Sequence, residues 1–370
     1  MKRLLVLNYE FPPLGGGASP VSYELAKRLS ETGDYDIDVV TMHYKGLPRY
    51  EEINSNLRVH RVRSWRSKKE LSHPWEQLTY LVSGYRKCRQ LLTKEKFDLC
   101  HTHFIIPTGI LARRLKKEFG LHYIITSHGS DVLGYNKRFK YLYPLLVGHW
   151  KAVLNDARTI ISPSNFLKTE ILKVYPTFDE QKIIVIPNGI DTTKFTPQPK
   201  KNYIFSSGRL MPMKGFQYLI QAVSAEDLGW EVHIAGDGPM RHELEEMAKQ
   251  SKTKIIFHGW LDNNDTEYKD LLEQAAIYVL ASERENASIA LLEAMCAECA
   301  VVTTNVSGCP ETVGEAGLLV HPADCKSLQA ALDSLVKDLE RVGTLQEAAA
   351  ARVRSVYGWD EVLKKYRHFV

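Results

Sequence analysis

The chain has 370 residues, of which 44% are hydrophobic and 25% are charged, and its formal net charge is +4. This length predicts two domains of roughly 100 to 200 residues each, and the composition excludes a disordered or repetitive protein. No apolar stretch reaches the roughly 18 residues that a membrane span needs, and six cysteines are too few for a disulfide framework. We therefore expect a cytoplasmic protein with reduced, buried thiols.

Short β-branched runs alternate with stretches of helical spacing along the whole chain. The predicted strands of the first half are LLVLN, IDVVT, LCHTH, YIITS and TIISPS. Those of the second half are YIFSSG, EVHIAG, KIIFHG, IYVLAS, AVVTT and GLLV. Strands that alternate with helices predict parallel sheets covered on both faces, so the fold class is α/β.

The number of strands and a change of charge indicate two domains. Residues 1–190 carry 29 Lys and Arg against 18 Asp and Glu, whereas the remainder carries 19 against 26. Near this change lies VIPNGIDTTKFTPQPKKN, which has the Pro, Asn and Thr of a linker. We expect two doubly wound domains, residues 1–188 and 189–354, that face each other across a cleft. Ligands of such sheets bind at the carboxyl ends of the strands.

Three loops that follow predicted strands carry groups that bind anions or hydroxyls. The glycines of residues 15–17 precede a helix, where N–H groups could hold a phosphate, although a flexible turn explains them equally well. His128 in SHGSD could bind a hydroxyl or a phosphate, or could only stabilise its own loop. Arg209 and Lys214 in GRLMPMKGF could clamp a diphosphate, the arginine by its planar fork and the lysine as a point charge.

Two glutamates eight positions apart, Glu285 and Glu293, lie in SERENASIALLEAM after a predicted buried strand. Helical side chains lean toward the helix N-terminus, so a helix that begins near Ala287 or Ser288 should direct Glu293 back toward Glu285. Both carboxylates would then lie beside helix N–H groups that can hold a phosphate. A nucleotide sugar matches this set, because it carries a diphosphate, a ribose diol and sugar hydroxyls.

The loop after the predicted strand KIIFHG is a candidate for binding a nucleobase. It comprises Gly259, Trp260 and Leu261, whose backbone groups could frame the base. Since this loop also follows a strand, it belongs to the ligand-binding edge of the predicted sheet.

No metal site is predicted. The acidic motif of Asp36 and Asp38 precedes a predicted strand, at the end opposite the cleft, and is interpreted as solvated turn chemistry. His101 and His103 point to one side of a strand but have no third ligand. Cys296-x-x-Cys299 also lacks a second pair that would complete a zinc site.

Taken in order, these motifs resemble a known family. The glycine-rich first loop, HGSD, SPSN, IPNGID, GRLMPMKG, AGDGP and the E-x7-E pair are similar to those of the retaining glycosyltransferases of family 4, which have the GT-B fold. The motifs run from residue 9 to about residue 322. The resemblance implies transfer of a hexose-type sugar from a UDP- or GDP-linked donor to a glycan or lipid-linked acceptor, with retention of configuration and without a metal or cofactor. It also implies a last helix, residues 355–370, that packs on the first domain.

The resemblance also assigns roles to individual residues. Arg209 and Lys214 would stabilise the leaving diphosphate. Glu293 would bind the ribose hydroxyls, Glu285 would contact the donor sugar, and His128 would lie beside it. The expected catalytic residues are therefore Glu285, His128, Arg209 and Lys214. The other expected donor-binding residues are Gly16, Gly17, Gly208, Asn286, Ala287, Ser288, Ile289 and Glu293.

Two positions depart from the family pattern. Glu298 stands where a glycine with positive φ would end a helix, which implies a different turn or some strain. Ser307 also stands where glycine is common. Both departures concern local loops and leave the expected donor site unchanged.

The basic first half suggests a hypothesis about location. The segment RVHRVRSWRSKKE surrounds Trp65 with cations, and RKCR, RRLKK and NKRFKYLYPLL add more. The cations of the first segment are Arg58, Arg61, Arg63, Arg66, Lys68 and Lys69. Such interleaving suits peripheral attachment to an anionic membrane, at its inner face, although some of these cations belong to ordinary solvated helix faces.

Two other functions remain open at this level, and a third is not expected. A GT-B relative that epimerises a nucleotide sugar could use His128 and Glu285 as acid and base. A non-catalytic scaffold that only binds nucleotide sugars would keep the same motifs. Nucleic-acid binding is not expected, because the basic stretch belongs to no recognised module.

Overall fold

The computed structural model describes residues 1–69, 71–134 and 143–370. Backbone contacts divide the chain into two compact units. Unit 1 comprises Met1–Gly189 and Val362–Val370, and unit 2 comprises Ile190–Glu361. The sequence placed the border between residues 188 and 189, and it assigned the terminal segment to the first domain from residue 355.

Unit 1 is built on a single sheet. Its strands are β1 (Lys2–Leu7), β2 (Tyr35–Met42), β3 (Tyr50–Asn54), β4 (Leu57–Val62), β5 (Leu99–His103), β6 (Tyr123–Thr126), β7 (Ile160–Ser162) and β8 (Ile183–Val185). Their order is β3-β4-β2-β1-β5-β6-β7-β8. Every neighbouring pair is parallel except β3 with β4, which are antiparallel at the edge. The parallel sheet confirms the predicted class, whereas β3, β4 and β8 were not predicted.

Helices cover the sheet of unit 1 with apolar faces. They are α1 (Ala18–Glu31), α2 (Pro74–Leu92), α3 (Thr108–Phe119), α4 (Tyr143–Asp156) and α5 (Asn165–Val174). The helical spacing of Val21, Leu25 and Leu29 predicted the buried face of α1, and all three are buried. The largest buried side chains also satisfy their polar atoms: Trp150 Nε1 donates to the Asp131 carbonyl at 2.9 Å, and Tyr80 Oη donates to the Val40 carbonyl at 2.9 Å.

Unit 2 is built on a second sheet in which every neighbouring pair is parallel. Its strands are β9 (Lys201–Ser207), β10 (Glu231–Ala235), β11 (Ile255–Gly259), β12 (Ala275–Leu280), β13 (Ala300–Thr304) and β14 (Gly317–Val320). Their order is β11-β10-β9-β12-β13-β14. Because β9, β12 and β13 are neighbours, the loops that follow their carboxyl ends meet at one edge.

Helices surround this second sheet as well. They are α6 (Phe216–Ser224), α7 (Arg241–Ala248), α8 (Thr266–Gln274), α9 (Ile289–Cys296), α10 (Cys309–Val313), α11 (Cys325–Val336) and α12 (Leu339–Arg352). The last helix, α13 (Trp359–Tyr366), begins in unit 2 and ends in unit 1. The predicted apolar face of α6 is buried, with Phe216 at 3% and Leu219 at 0% exposure. Helix α9 begins at Ile289 after Ser288, close to the predicted start.

The chain returns to unit 1 within α13. Residues from Val362 onward belong to unit 1. The hydroxyls of Tyr366 and Thr126 lie 3.4 Å apart, and Lys2 Nζ donates to the Val370 carbonyl at 2.9 Å. The terminal segment is therefore tied to β1 and to the end of β6. No helix within the described residues is long and apolar enough to cross a membrane.

The turn at Glu298 keeps the left-handed conformation that glycine usually supplies. Glu298 has φ +57°. Its N–H donates to the Met295 carbonyl at 3.2 Å, and the Cys299 N–H donates to the Ala294 carbonyl at 2.9 Å. These two bonds define a Schellman motif that ends α9. Glu298 therefore does not impose a different turn, and Ser307 likewise keeps a positive φ of +51°.

We expect Glu298→Gly to be about 1 kcal/mol more stable than Glu298→Ala, because only alanine has a Cβ that opposes a left-handed backbone. Both variants lose the same hydrogen bond, from Arg354 Nη2 to the Glu298 carboxylate at 2.7 Å, so their difference isolates the backbone. Urea denaturation measures both free energies of unfolding. Equal stability of the two variants would contradict the strained turn.

Candidate functional site

Three loops of unit 2 are held together at the ends of β9, β12 and β13. The Glu283 N–H donates to the Met213 carbonyl at 2.9 Å, and the Gly308 N–H donates to the Glu285 carbonyl at 3.2 Å. Glycine is required where the loops touch, because a Cβ on Gly308 would overlap the carbonyl oxygen of Asn286. The predicted phosphate-binding loop and the E-x7-E segment are therefore adjacent.

Lys214 and Glu285 form an ion pair within this arrangement. Lys214 Nζ contacts Glu285 Oε1, and Ser282 Oγ donates to the same oxygen at 2.9 Å. Gly215, with φ +74°, follows Lys214 and begins α6, and a Cβ there would overlap the carbonyl oxygen of Ala281. The side chains of Lys214 and Glu285 keep 28% and 13% of their surface exposed, so a ligand can reach both.

Arg209 is the exposed cation of the same loop. It follows Gly208, whose N–H donates to the Ala235 carbonyl at 3.0 Å and fixes the start of the loop. Within the described chain, the Arg209 guanidinium makes no hydrogen bond or ion pair. It is thus available to an external anion, and its binding of a diphosphate stays a prediction.

Glu293 is the buried carboxylate of the E-x7-E pair, and its side chain is 3% exposed. Lys194 Nζ lies 2.6 Å from Oε1, while Asn263 Nδ2 donates to Oε2 at 3.0 Å. Tyr268 Oη also donates to Oε2, at 3.1 Å. Burial, and then the negative charge of Glu293, raise the pKa of Tyr268 well above its usual value, so the phenol stays protonated and can donate.

Sequence reasoning missed these three partners of Glu293. They lie 99, 30 and 25 positions from it along the chain, so no local spacing connects them. The available signal was Glu293 itself, because a buried carboxylate requires a cation and hydrogen-bond donors. That requirement predicts the kind of partner and not its position.

The start of α9 offers backbone donors beside Glu285. The N-cap residue Ser288 has an extended backbone, with φ −72° and ψ 114°, and its side chain makes no capping hydrogen bond. The first N–H groups of a helix have no partner within the helix, and they suit an anion. Asn286, Ala287, Ser288 and Ile289 form the segment that leads into this helix start, and their binding of the donor phosphates stays a prediction.

The predicted nucleobase loop connects to Glu293. Gly259 has φ +72°, and its carbonyl accepts the Gly236 N–H at 2.6 Å. Trp260 is 65% exposed, and Leu261 packs partly against the core. The same loop continues to Asn263, which donates to Glu293. A base held by this loop would therefore lie near the carboxylate that is expected to bind the ribose.

The three histidines predicted near strand ends of unit 1 lie together. His103 Nδ1 is 3.0 Å from His128 Nε2, and the two rings stack with centroids 5.3 Å apart. His101 Nε2 is 2.8 Å from Thr126 Oγ1. Burial lowers the pKa of His101 and of His128 to about 3, so both imidazoles are neutral at pH 7.

Asp131 holds the loop that carries His128. Its carboxylate accepts the His128 N–H at 2.9 Å and the Ile105 N–H at 2.7 Å. Burial raises the pKa of Asp131, and these hydrogen bonds partly oppose the rise. The SHGSD motif thus fixes its own loop, and it also presents an imidazole at the end of β6.

We expect acidification below pH 6.5 to destabilise the protein through the buried histidines. Unfolded histidines titrate near pH 6.5, whereas folded His101 and His128 titrate near 3, so the unfolded chain binds more protons between these values. Their stabilising contribution is complete above pH 6.5 and is lost as the pH falls. The loss is at most about 1.4 kcal/mol per pH unit for each histidine.

The measurement is the free energy of urea unfolding at pH 7 and pH 5, for the wild type and for His101→Asn. Removing one buried histidine should flatten the slope of stability against pH. The comparison between variants is needed because burial raises the pKa of Glu10 and Asp131, which act in the opposite direction. A variant with an unchanged slope would contradict the prediction.

The glycine-rich loop of unit 1 already forms a hydrogen bond with a carboxyl group of the protein, that of Glu10. Gly15 has φ +100°, and its N–H donates to the Lys69 carbonyl at 2.8 Å. The Gly16 N–H donates to the Glu10 carboxylate, and burial raises the pKa of that carboxylate. A Cβ on Gly16 or Gly17 would lie in open space. The loop is therefore anchored at Gly15 and open beside the predicted phosphate-binding glycines.

The interpretation of Asp36 and Asp38 as solvated turn residues is wrong. Both lie within β2, and the Asp38 side chain is 3% exposed. Arg58 contacts both carboxylates, and Arg3 and His60 add bonds to Asp38 at 3.1 and 2.7 Å. Burial alone would raise the pKa of Asp38, but the bonds from His60, Arg58 and Arg3 outweigh it and hold that pKa far below its usual value. The cluster joins β1, β2 and β4.

Metal ligands are not grouped in the described part of the chain. No set of three or more His, Cys, Asp or Glu residues there could hold a metal ion. All six cysteines are free thiols, and burial raises the pKa of Cys296 to about 12 and of Cys299 to about 11. Metal independence of the reaction stays a prediction.

Three of the six cations that surround Trp65, which were predicted for a membrane surface, serve internal contacts. Arg58 pairs with the aspartates of β2, and Arg61 pairs with Glu51 at 2.6 Å. Arg66 is 7% exposed and donates to the carbonyls of Tyr9 and Lys69 at 3.2 and 2.8 Å. Arg63, Lys68 and Lys69 are exposed. In the stretch NKRFKYLYPLL, residues 136–142 lie outside the described residues.

Two Rossmann-like units built on largely parallel sheets are the architecture of the GT-B glycosyltransferases. The family model described as Glycosyltransferase Family 4 matches residues 15–194, and the model described as Glycosyl transferases group 1 matches residues 190–352. The chain belongs to the family 4 glycosyltransferases of the GT-B type.

Individual relatives match over the whole chain. An uncharacterized glycosyltransferase of Methanocaldococcus jannaschii is 28% identical, and the alignment covers 98% of this chain and 96% of the relative. Sucrose-phosphate synthase from Thermosynechococcus elongatus has a TM-score of 0.82 at 19% identity, covering 100% of this chain and 98% of that one. Anabaena HepE, solved in complex with UDP, has a TM-score of 0.78 at 15% identity, covering 100% and 99%. These two structural matches establish the fold.

Proposed function

We propose that the protein is a retaining glycosyltransferase that moves a hexose-type sugar from a nucleotide-diphosphate sugar to a glycan or lipid-linked acceptor. The observation that carries the proposal is the contact of Lys214 with Glu285 at the edge where β9, β12 and β13 end. This contact supports the proposal because the ammonium would stabilise a leaving diphosphate and the adjacent carboxylate would bind sugar hydroxyls.

The groups of unit 2 that would stabilise the diphosphate are two cations and the start of a helix. Arg209 supplies an exposed guanidinium, Lys214 a reachable ammonium, and the first turn of α9 free N–H groups. Fixed cations and dipoles stabilise charge that develops on a leaving group. These groups supply the charge that a divalent ion would otherwise supply, so we propose a metal-independent reaction.

The ribose would bind to the Glu293 carboxylate by replacing one of the protein groups that now donate to it. A carboxylate offers about four acceptor positions. Those of Glu293 are already occupied, because Lys194 and Asn263 donate to Oε1 while Asn263 and Tyr268 donate to Oε2. A ribose diol would therefore replace one donor, most simply the flexible Lys194 ammonium. His128, held neutral by burial, would bind a hydroxyl of the transferring sugar as a hydrogen-bond partner without charge.

We propose a UDP-linked donor as the first to test. Anabaena HepE shares the fold and was solved with UDP. A GDP-linked donor remains the alternative, because the backbone of the loop at Gly259–Leu261 would bind either base.

The test is an assay of nucleotide release with a panel of UDP- and GDP-linked sugars, with and without a crude lipid acceptor and a chelator. We expect one donor to release its nucleotide in an acceptor-dependent and chelator-insensitive manner. NMR of the product should show the anomeric configuration of the donor. Release that requires a divalent ion would contradict the metal-free mechanism, and an inverted product would contradict retention.

The same assay distinguishes the competing functions. An epimerase would convert the sugar of the donor without any acceptor and without releasing nucleotide. A binding scaffold would hold a nucleotide sugar, detected by calorimetry, and release nothing from any donor. Either result would overturn the proposed transfer.

A further inference from the structure

Helix α2 has one buried face and one exposed face that are equally regular. The buried residues recur every fourth position, at Glu76, Tyr80, Gly84 and Cys88. On the opposite side the exposed residues are Trp75, Leu78, Val82, Arg86 and Arg89. The first three are apolar and the last two are cationic, so the exposed face is itself amphipathic along its length.

The apolar end of this face is extended by a second tryptophan. Trp65 N donates to Thr79 Oγ1 at 3.3 Å, which places Trp65 against the first turns of α2, and the Trp65 and Trp75 rings lie 6.4 Å apart. Trp65, Leu78 and Val82 are 63%, 63% and 55% exposed, and Trp75 is 47% exposed. We call these four residues the α2 apolar patch. Large apolar side chains grouped on a surface mark an interaction site.

The cationic end of the face forms a groove with α3. Arg86 and Arg89 line it from α2 and Arg114 lines it from α3. The Arg114 guanidinium lies 3.7 Å from the centre of the Tyr85 ring, which fixes its position. Glu118 lies 3.5 Å from Arg89 and also contacts Tyr85, so it offsets part of the positive charge. The groove remains positive, with three guanidinium groups against this carboxylate.

We propose that the exposed face of α2 docks on an anionic membrane surface. The α2 apolar patch would enter the boundary between headgroups and acyl chains, where tryptophan is favoured, and the arginine groove would contact lipid phosphates. The exposed cations Arg63, Lys68 and Lys69, which flank Trp65 in sequence, add to the attraction. The proposed membrane binding does not depend on which sugar the protein transfers.

The positive charge of this face favours an anionic membrane as its binding partner over a second copy of the chain. A symmetric dimer through this face would bring two identical sets of arginines together, because an isologous interface pairs the same patch with itself. An anionic lipid surface is complementary to both ends of the face. It accepts indole and leucine side chains at one depth and guanidinium groups at the phosphate level.

The test is flotation of the whole protein with phosphatidylcholine vesicles that contain or lack phosphatidylglycerol. We expect recovery only with the anionic vesicles, and a decrease as salt rises. Leu78→Glu should abolish flotation. Arg86→Gln with Arg89→Gln should lower the partition coefficient by about 30-fold, since each arginine near an anionic surface strengthens binding by about fivefold.

Matched variants elsewhere serve as controls. Leu339→Glu changes an apolar residue of unit 2 that is 57% exposed, and Lys249→Gln with Lys254→Gln removes two cations whose side chains are 69% and 68% exposed. Both controls should float like the wild type, and thermal unfolding should show all variants folded. Flotation equal with neutral vesicles, or unchanged by Leu78→Glu, would overturn the proposal. So would a concentration-dependent dimer that Leu78→Glu disrupts, because the face would then bind a second copy.

Discussion

Replacing Lys214 with alanine is expected to lower kcat by about 10²- to 10³-fold while changing the donor KM little. Lys214 Nζ stands at the end of β9, 28% exposed, beside the loop that begins α9. An ammonium there would meet the negative charge that grows on the diphosphate as the sugar departs, and this charge is larger in the transition state than in the bound donor. Removing one fixed donor of this kind costs about 2.7–4 kcal/mol.

The Glu285 contact complicates this variant, so the measurement needs a comparison. Lys214→Ala leaves Glu285 with Ser282 as its hydrogen-bond donor, and a disturbed carboxylate could itself slow the reaction. Lys214→Arg keeps the charge and should recover part of kcat, whereas Lys249→Ala removes an exposed lysine and should change nothing. A rise in KM with kcat unchanged would show that Lys214 only binds the donor.

Local patterns predicted the strands of both sheets except β3, β4 and β8, which lie toward the two edges of the first sheet. Most of the predicted strands are short apolar runs followed by a glycine or a polar loop, and such a run is typical of a buried parallel strand. The start of α9 followed from the change of spacing at Ser288, and the position of the loop with Arg209 and Lys214 followed from the strand before it. The grouping of the candidate loops at one edge of the sheet was predictable because parallel strands align their carboxyl ends.

Contacts between distant segments could not be predicted in this way. The cations around Trp65 suggested that the segment of Arg58 belongs to a membrane-facing basic stretch, whereas the sheet pairs this segment with β2 and buries Asp38 against it. The exposed face of α2 was missed for a similar reason. Trp75, Leu78 and Val82 have the spacing of a core face, and only the buried positions opposite them show that they lie on the surface.

Replacing Lys194 with methionine is expected to destabilise the protein by about 2–3 kcal/mol. Lys194 is the only cation in contact with Glu293 among the described residues, and the Glu293 side chain is 3% exposed. Removing one partner of a buried ion pair costs about 3–5 kcal/mol. The lower value is expected here because Lys194 is 23% exposed and because Asn263 and Tyr268 still donate to the carboxylate.

Adding Glu293→Gln to Lys194→Met should restore most of the lost stability, because the double variant leaves no unpaired charge. Urea denaturation of the four proteins in this cycle measures the coupling between the two residues, which should exceed about 1 kcal/mol.

Donor affinity should respond differently from stability. Glu293→Gln is expected to weaken donor binding in both backgrounds, since a ribose diol needs the carboxylate as acceptor. Lys194→Met alone should leave donor binding intact or strengthen it, because the ribose would no longer displace a cation. If Lys194→Met instead weakened binding as much as Glu293→Gln does, the lysine would itself be a donor ligand, and exchange at Glu293 would be wrong.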